Sequence, residues 1–282
     1  MAAAPARKRK RFSRTLSPAR WKEYGRLLED AEACGYRIAS FEDWLLDPPA
    51  REDGRLLLLR HDIDQHPRAA LTMSDVELAH GVQSTWYFRW RTADGAVIGE
   101  LRQRGGAIGL HYETLTRLVL EHGPVAMEQL EPARRTLRQE IHAFQQRFGA
   151  VETIAPHGDT RVPGVSNLTL MLGQDPGWFG VRADANVAIR TRTVGLWMTD
   201  RSRADGGWDR QLDPRTVLEL GTTPVLCLTH PNNWASGPSL WLDRALRAVP
   251  VGRPDAPSSR WARTGSDQPL LNDPASSQVR SP

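Results

Sequence analysis

Four short apolar runs in this chain each lead into a histidine or an aspartate, and this pattern limits the possible folds most strongly. The runs and the polar residues after them are Leu56–Leu59 before His61, Asp62 and Asp64, Ala107–Leu110 before His111, Val151–Ala155 before His157, and Val225–Leu228 before His230. Runs of this length are typical of strands buried in a parallel sheet. The carboxyl ends of such strands meet on one face, so we expect these polar side chains to converge.

Helical and strand-like segments alternate along the rest of the chain. Apolar spacing predicts further strands at 84–90 and 194–198, and helices at 21–34, 68–80, 97–103, 124–148, 168–172, 214–220 and 240–248. This alternation predicts an α/β fold with a mostly parallel sheet. The number of units in one domain favours a barrel that is distorted or incomplete.

Composition separates a folded middle from two atypical ends. The chain has a formal net charge of +4, but residues 1–20 hold seven basic and no acidic residues, so the remainder carries −3. We predict a disordered basic leader over 1–18, one domain over 19–249 and a disordered Pro/Ser-rich tail over 250–282. The leader could contact nucleic acid or an anionic surface, but a solvated segment without a partner is the favoured interpretation.

The sequence also indicates a compartment. No apolar run has the length of a membrane span, and the basic start is not followed by the apolar stretch of a secretion signal. We therefore expect a cytoplasmic protein without a membrane partner, in which Cys34 and Cys227 are reduced and buried. The oligomeric state is left open.

The residue types at the strand ends suit a divalent metal. Histidine and carboxylate ligands can hold such an ion and leave positions free for water and substrate. In the pair Asp62 and Asp64, one carboxylate can bind metal while the other accepts a proton from water. Any one of these residues alone would more often be structural, so the prediction depends on the joint pattern. The histidines inside or beside helices are interpreted as structural, namely His66, His80, His122 and His142.

These segments resemble the polysaccharide-deacetylase superfamily, also called the NodB-homology fold, and within it a divergent branch with an Arg-His-Asp-x-Asp motif. The matching stretches are RHDIDQHP at 60–67, STWYFRW at 84–90, IGLHYE at 108–113, TIAPHG at 153–158, WMTDRSRADGGW at 197–208 and LTHPNNW at 228–234. The resemblance covers about residues 20–248. It implies a single-domain distorted (β/α) barrel of about seven strands and a divalent metal, usually zinc.

The resemblance also implies roles for individual residues. Asp62 matches the catalytic base, Asp64 the metal-binding carboxylate and His111 the first metal histidine. His230 matches the general acid, and Asp200 corresponds loosely to the acidic residue that supports it.

The chain departs from the family pattern at the second metal histidine, four residues after the first. Leu115 occupies this position and cannot bind metal. His157 is the predicted replacement, with Glu113, His66 and His61 as rivals. His61 alternates away from its neighbour Asp62 along an extended strand, so it is expected to point to a different wall.

The chain also lacks the family arginine that orients the base, and Arg60 is a candidate substitute. Arg60, Glu113, Trp208 and Trp234 are the predicted substrate contacts, with the tryptophans suited to stacking on a sugar or, alternatively, to core packing.

The sequence therefore predicts a metal-dependent hydrolase that removes an acyl group, first of all acetyl, from an amino sugar or a related small-molecule amide. The alternative is an inactive carbohydrate- or ligand-binding protein on the same fold, because Leu115 and the missing arginine depart from the family pattern.

Overall fold

Eight parallel strands form one sheet in the computed structural model, which describes residues 17–46, 54–125, 127–191, 194–200, 207–208 and 213–248. The strands are β1 (Tyr36–Ser40), β2 (Arg55–Ile63), β3 (Thr85–Phe88), β4 (Ala107–Tyr112), β5 (Thr153–Pro156), β6 (Ala183–Asp184), β7 (Leu196–Thr199) and β8 (Val225–Thr229). Seven of them follow the order β6-β5-β4-β3-β2-β8-β7, and β1 pairs beside β2. The predicted α/β fold with a distorted barrel is confirmed.

Nine helices connect these strands within the described residues. They are α1 (Trp21–Ala33), α2 (Phe41–Leu46), α3 (Arg68–Ala79), α4 (Gly95–Gln103), α5 (Thr114–His122), α6 (Leu130–Phe148), α7 (Ala185–Thr191), α8 (Pro214–Glu219) and α9 (Gly237–Ala248). Short 3-10 turns occupy Trp90–Thr92, Met127–Gln129, Asn167–Leu170, Pro176–Phe179 and Pro231–Asn233. None of the described helices is long and apolar enough to cross a membrane.

The central strand β2 is long enough to pair with three neighbours. It pairs with β8 along one edge, and along the other it pairs first with β1 and then, from Arg60 onward, with β3. Alternate residues of a strand face opposite sides of the sheet. Leu57 and Leu59 therefore join the core beneath the helices, whereas Leu56 and Leu58 join a second cluster inside the curl of the sheet.

The inner cluster supports the polar residues above it. Tyr87 lies in this cluster, and its ring packs against Gly109 of β4. A Cβ atom at Gly109 would stand 2.4 Å from a ring carbon of Tyr87 and 2.7 Å from the carbonyl oxygen of Thr153. Glycine is therefore required at this position so that the Tyr87 ring can lie against the neighbouring strand β4.

The structure corrects several predicted elements. Strands β1 and β6 and helices α2, α5 and α7 were not predicted, because each is only two to nine residues long. Leu168–Leu172 is not an α-helix but overlaps a 3-10 turn, and the long helix begins at Leu130 instead of Pro124. Strand β4 extends through Tyr112, so His111 lies inside the strand.

The chain ends lie largely outside the described residues, so the predicted leader, tail and domain bounds stay predictions. Both cysteines are unpaired, and Cys227 is buried as expected, whereas Cys34 is only partly buried.

Candidate metal centre

Five predicted residues meet where the carboxyl ends of β2, β4, β5 and β8 converge. Asp62 is the last residue of β2 whose side chain faces the inside of the curled sheet, and Asp64 follows that strand. His111 lies in β4, His157 follows β5, and His230 follows β8. The contacts among these side chains span 3.4 to 3.7 Å. The sheet therefore brings together residues that are far apart in the sequence.

Asp64, His111 and His157 are spaced as ligands of one ion would be. Asp64 Oδ1 lies 3.6 Å from His111 Nε2 and 3.4 Å from His157 Nε2, and the three ligand atoms lie within 4.8 Å of one another. Ligand atoms about 2.1 Å from a tetrahedral ion stand roughly 3.4 Å apart. Asp64 Oδ1 is also buried and accepts no hydrogen bond from the described residues. A cation among these atoms would satisfy that oxygen.

Hydrogen bonding fixes the orientation of His111. Its Nδ1 donates to the carbonyl oxygen of Ala155 at 3.0 Å, so the lone pair of Nε2 faces Asp64. Metal-binding histidines commonly donate their second ring nitrogen in this way. Burial lowers the pKa of His111, although the nearby carboxylates oppose the shift. The neutral imidazole is the form that binds metal.

His157 reaches the same point from β5. Its backbone nitrogen donates to the carbonyl of Tyr112 at 2.8 Å, and its carbonyl accepts from Asn167 at 2.7 Å, so the segment is held at both sides. Burial and the adjacent His111 lower the pKa of His157 to about 3. The ring is therefore neutral at physiological pH, as a metal ligand must be.

Asp62 is clamped by Arg60 from within the barrel. The guanidinium donates two bonds of 2.9 Å to the carboxylate and a third of 2.7 Å to Asn186, and it lies over the ring of Tyr87. Burial would raise the pKa of Asp62, but the charges of Arg60 and His111 outweigh it and hold the pKa below its usual range. Asp62 is therefore an oriented carboxylate that stays ionised near neutral pH.

His230 is partly buried and pairs with the buried Asp200. Its Nδ1 lies 2.7 Å from Asp200 Oδ1, and its Nε2 lies 3.7 Å from Asp64 Oδ2. The second carboxylate oxygen of Asp200 accepts from the His230 backbone at 3.0 Å and from Trp234 Nε1 at 2.9 Å. Burial opposes protonation, but Asp200 prevails and raises the pKa of His230 to about 9. His230 therefore holds a proton on the nitrogen that faces the site.

The predicted substrate contacts lie in different surroundings. Arg60 is 1% exposed and Trp234 is 2% exposed, and both are engaged with carboxylates of the site, so neither faces a substrate. Trp208 is also buried and packs edge-on against Trp234. Glu113 lies nearer the rim, where it pairs with Arg89 and stands 3.9 Å from His157 Nδ1. Arg60, Trp208 and Trp234 thus support the site from behind.

Two rival histidines lie away from the cluster. His61 is buried on the opposite face of β2, where its ring nitrogens lie 2.7 Å from Thr229 and 2.7 Å from Glu77. His66 contacts Asp243 at 3.0 Å. Glu77 was missed by sequence reasoning, because a single acidic residue within a helix gives no signal that it faces a buried histidine.

Comparison with known proteins gives one distant likeness in fold. The chain matches no protein-family profile and no curated protein. Among solved structures it is similar to a family 4 carbohydrate esterase from Streptomyces lividans in complex with acetate, at 15% identity and a TM-score of 0.38. The match covers 69% of this chain and 90% of the other. A likeness at this level carries no argument about activity.

Proposed function

We propose that this protein is a metal-dependent hydrolase that removes an acyl group, with acetyl as the first candidate, from an amino sugar or a related small molecule. The observation that most supports the proposal is the convergence of Asp64, His111 and His157. Beside them stand Asp62 and His230, two groups suited to moving protons. The choice of an amino sugar as the substrate and of acetyl as the acyl group is based on the sequence resemblance.

The three clustered side chains form a donor set for a divalent ion, and zinc accepts this combination of two imidazoles and one carboxylate. A bound ion of this kind supplies a polarised carbonyl and a more acidic water. Leu115 is buried at the position of the second family histidine, so His157 would supply the second imidazole from another strand.

Asp62 and His230 divide the proton transfers. Asp62, ionised and held by Arg60, accepts a proton from the water whose oxygen bonds to the acyl carbon. His230 donates its Nε2 proton to the leaving nitrogen as the carbon–nitrogen bond breaks. Asp200 holds His230 in the tautomer that permits this, because its carboxylate accepts from Nδ1.

The first experiment measures metal content and acetate release together. The purified chain is analysed for bound metal, then assayed on acetylated amino sugars with zinc, cobalt, nickel or manganese. His111→Ala and His157→Ala should both lose metal. The matched control is His142→Ala, an exposed histidine on α6 that should keep full occupancy.

The second experiment separates proton transfer from metal binding. Asp62→Asn and His230→Ala should keep the metal and lose turnover by about a hundredfold or more. Absence of both metal and acetate release would reject the hydrolase. Full metal affinity in His157→Ala would reject this ligand and favour Glu113, which lies beside it. A bound acetylated sugar that is never cleaved would favour the alternative of an inactive binding protein.

A further inference from the structure

Three arginines surround one side of the candidate site. Arg89 follows β3, Arg91 lies in the 3-10 turn after it, and Arg161 lies in the segment after β5. Arg91 Nη2 reaches to 3.4 Å from the backbone oxygen of Asp64. This distance is long for a hydrogen bond, so Arg91 is placed beside Asp64 but is only weakly held there.

The other two arginines are neutralised by carboxylates that lie beside His157. Arg89 pairs with Glu113, and Arg161 pairs with Asp159 through two bonds from Nε of 2.9 and 3.1 Å. Glu113 and Asp159 themselves stand within 4.8 Å of a ring nitrogen of His157. Both arginines are therefore anchored at the rim of the candidate site.

Arg91 supplies a positive charge that is only partly balanced, by the carboxylates of Asp64 and Asp159, with which it makes no direct ion pair. Its side chain is exposed, and no carboxylate forms an ion pair with it among the described residues. The charge of Arg91 also affects Arg89. Burial, and after it the nearby charge of Arg91, lowers the pKa of Arg89 to about 10. The three clustered arginines contrast with the net charge of −3 carried by the chain after residue 20.

A second observation indicates a ligand at the same place. Arg89 is 2% exposed, yet its Nε donor is buried without an acceptor among the described residues. Buried donors normally find an acceptor, and an oxygen of a bound anion would provide one. Arginine is well suited to the task, because its planar fork matches carboxylate and phosphate oxygens.

We propose that the substrate carries an anionic group, a carboxylate or a phosphate, close to the acylated nitrogen, and that Arg91 binds it with Arg89 and Arg161 alongside. The inference rests on the proposed function, since it places the anion beside the same site. It narrows the substrate class from acylated amino sugars in general to acidic ones.

Direct binding tests the anion site without relying on turnover. The full-length protein as purified is titrated calorimetrically with glucuronate, glucose 6-phosphate and neutral glucose. At least one acidic sugar should bind about tenfold or more tightly than glucose, with an affinity that falls at high salt. Arg91→Gln should remove this preference. Arg91→Lys should retain part of it, because it keeps the charge and loses the fork.

The matched control is Arg215→Gln. Arg215 is an exposed arginine on α8 that pairs with Asp30 of α1 and with Glu219, none of which belongs to the site, and its loss should leave sugar binding unchanged. Thermal unfolding of each variant checks that the fold is intact. Equal binding of glucose and both acidic sugars, or undiminished acidic-sugar binding in Arg91→Gln, would overturn the proposal.

Turnover on matched acetylated sugars separates this inference from the proposed function. The kcat/KM for N-acetylglucosamine 6-phosphate or N-acetylmuramate should exceed that for N-acetylglucosamine, and Arg91→Gln should reduce only the acidic substrate, mainly through KM. If no sugar is cleaved but acidic sugars bind through Arg91, the hydrolase fails and the anion site stands. If all three are cleaved equally and Arg91→Gln changes none, the anion site fails and the hydrolase stands.

Discussion

Replacing Asp200 by asparagine should make the His230 ring lose its proton at a lower pH. The pKa of this histidine rises from 6.5 to about 9, mainly because the Asp200 carboxylate outweighs burial. At about 1.4 kcal/mol per pKa unit, the pair favours the protonated ring by about 3 kcal/mol. Without the carboxylate charge burial remains, so we expect the pKa of His230 in Asp200→Asn to fall to its ordinary value or below.

The same change should alter stability with a defined dependence on pH. A histidine whose pKa is raised by folding stabilises the protein fully below its unfolded pKa, and this stabilisation is lost as pH rises through about 9. The loss in Asp200→Asn should therefore be about 3 kcal/mol near pH 6 and much smaller near pH 10. About 1 kcal/mol should persist at both pH values, since three donors meet the Asp200 carboxylate and asparagine offers only one acceptor oxygen.

The assay combines a proton NMR titration of the His230 ring with urea unfolding at both pH values. Chelator-treated protein is used, because a bound cation would itself lower the pKa. Trp234→Phe is the control, since it removes one donor to the same carboxylate without removing its charge. Its stability loss should not depend on pH. A His230 pKa that stays near 9 in Asp200→Asn, or equal destabilisation at both pH values, would refute the reasoning.

Three further predictions concern the packing, a buried acid and the candidate ligands. Gly109→Ala should lower the free energy of unfolding in urea by roughly 1–3 kcal/mol, because its Cβ would overlap Tyr87. Gly99→Ala, where the added atom meets open space, should be neutral or stabilising, and equal losses would contradict the packing argument. Burial raises the pKa of Asp184 to about 6, so the free energy of unfolding should fall as pH rises through that value. Asp184→Asn should flatten this pH dependence, measured by urea unfolding between about pH 4 and pH 7. An unchanged pH dependence in the variant would contradict the prediction. Chelator should lower the Tm of the wild type and leave that of His157→Ala unchanged, and an equal drop in both would exclude His157 as a ligand.

The convergence at the sheet edge could be predicted because it depends on strand order and not on exact strand bounds. Apolar runs locate the parallel strands, whose carboxyl ends align. The error at the end of β4 did not matter, since His111 faces the inner side whether the strand ends at Leu110 or Tyr112. The same alternation correctly separated His61 from Asp62. The roles of these residues stay predictions.

The supporting contacts could not be predicted, because they join elements whose mutual placement the local pattern does not encode. Arg60 lies two residues before Asp62 on the same face of β2, so their pairing follows from strand alternation, whereas its bond to Asn186 of α7 depends on how distant elements are placed. Trp234 carries no local signal that its indole nitrogen meets Asp200. Arg91 was overlooked because its importance comes from charges contributed by distant segments.

The strand-end origin of the candidate ligands has a consequence for how the chain matures. Asp64 and His111 are 47 residues apart, and His111 and His157 are 46 apart, so no single segment can capture an ion by itself. Contacts between such distant segments close slowly during folding. An ion would therefore bind to a sheet that has already formed. This differs from an ion whose ligands share one loop, because such an ion can bind early and initiate folding. The leucine-rich core of β2 contains none of the candidate ligands, so we expect the fold to survive the loss of the ion.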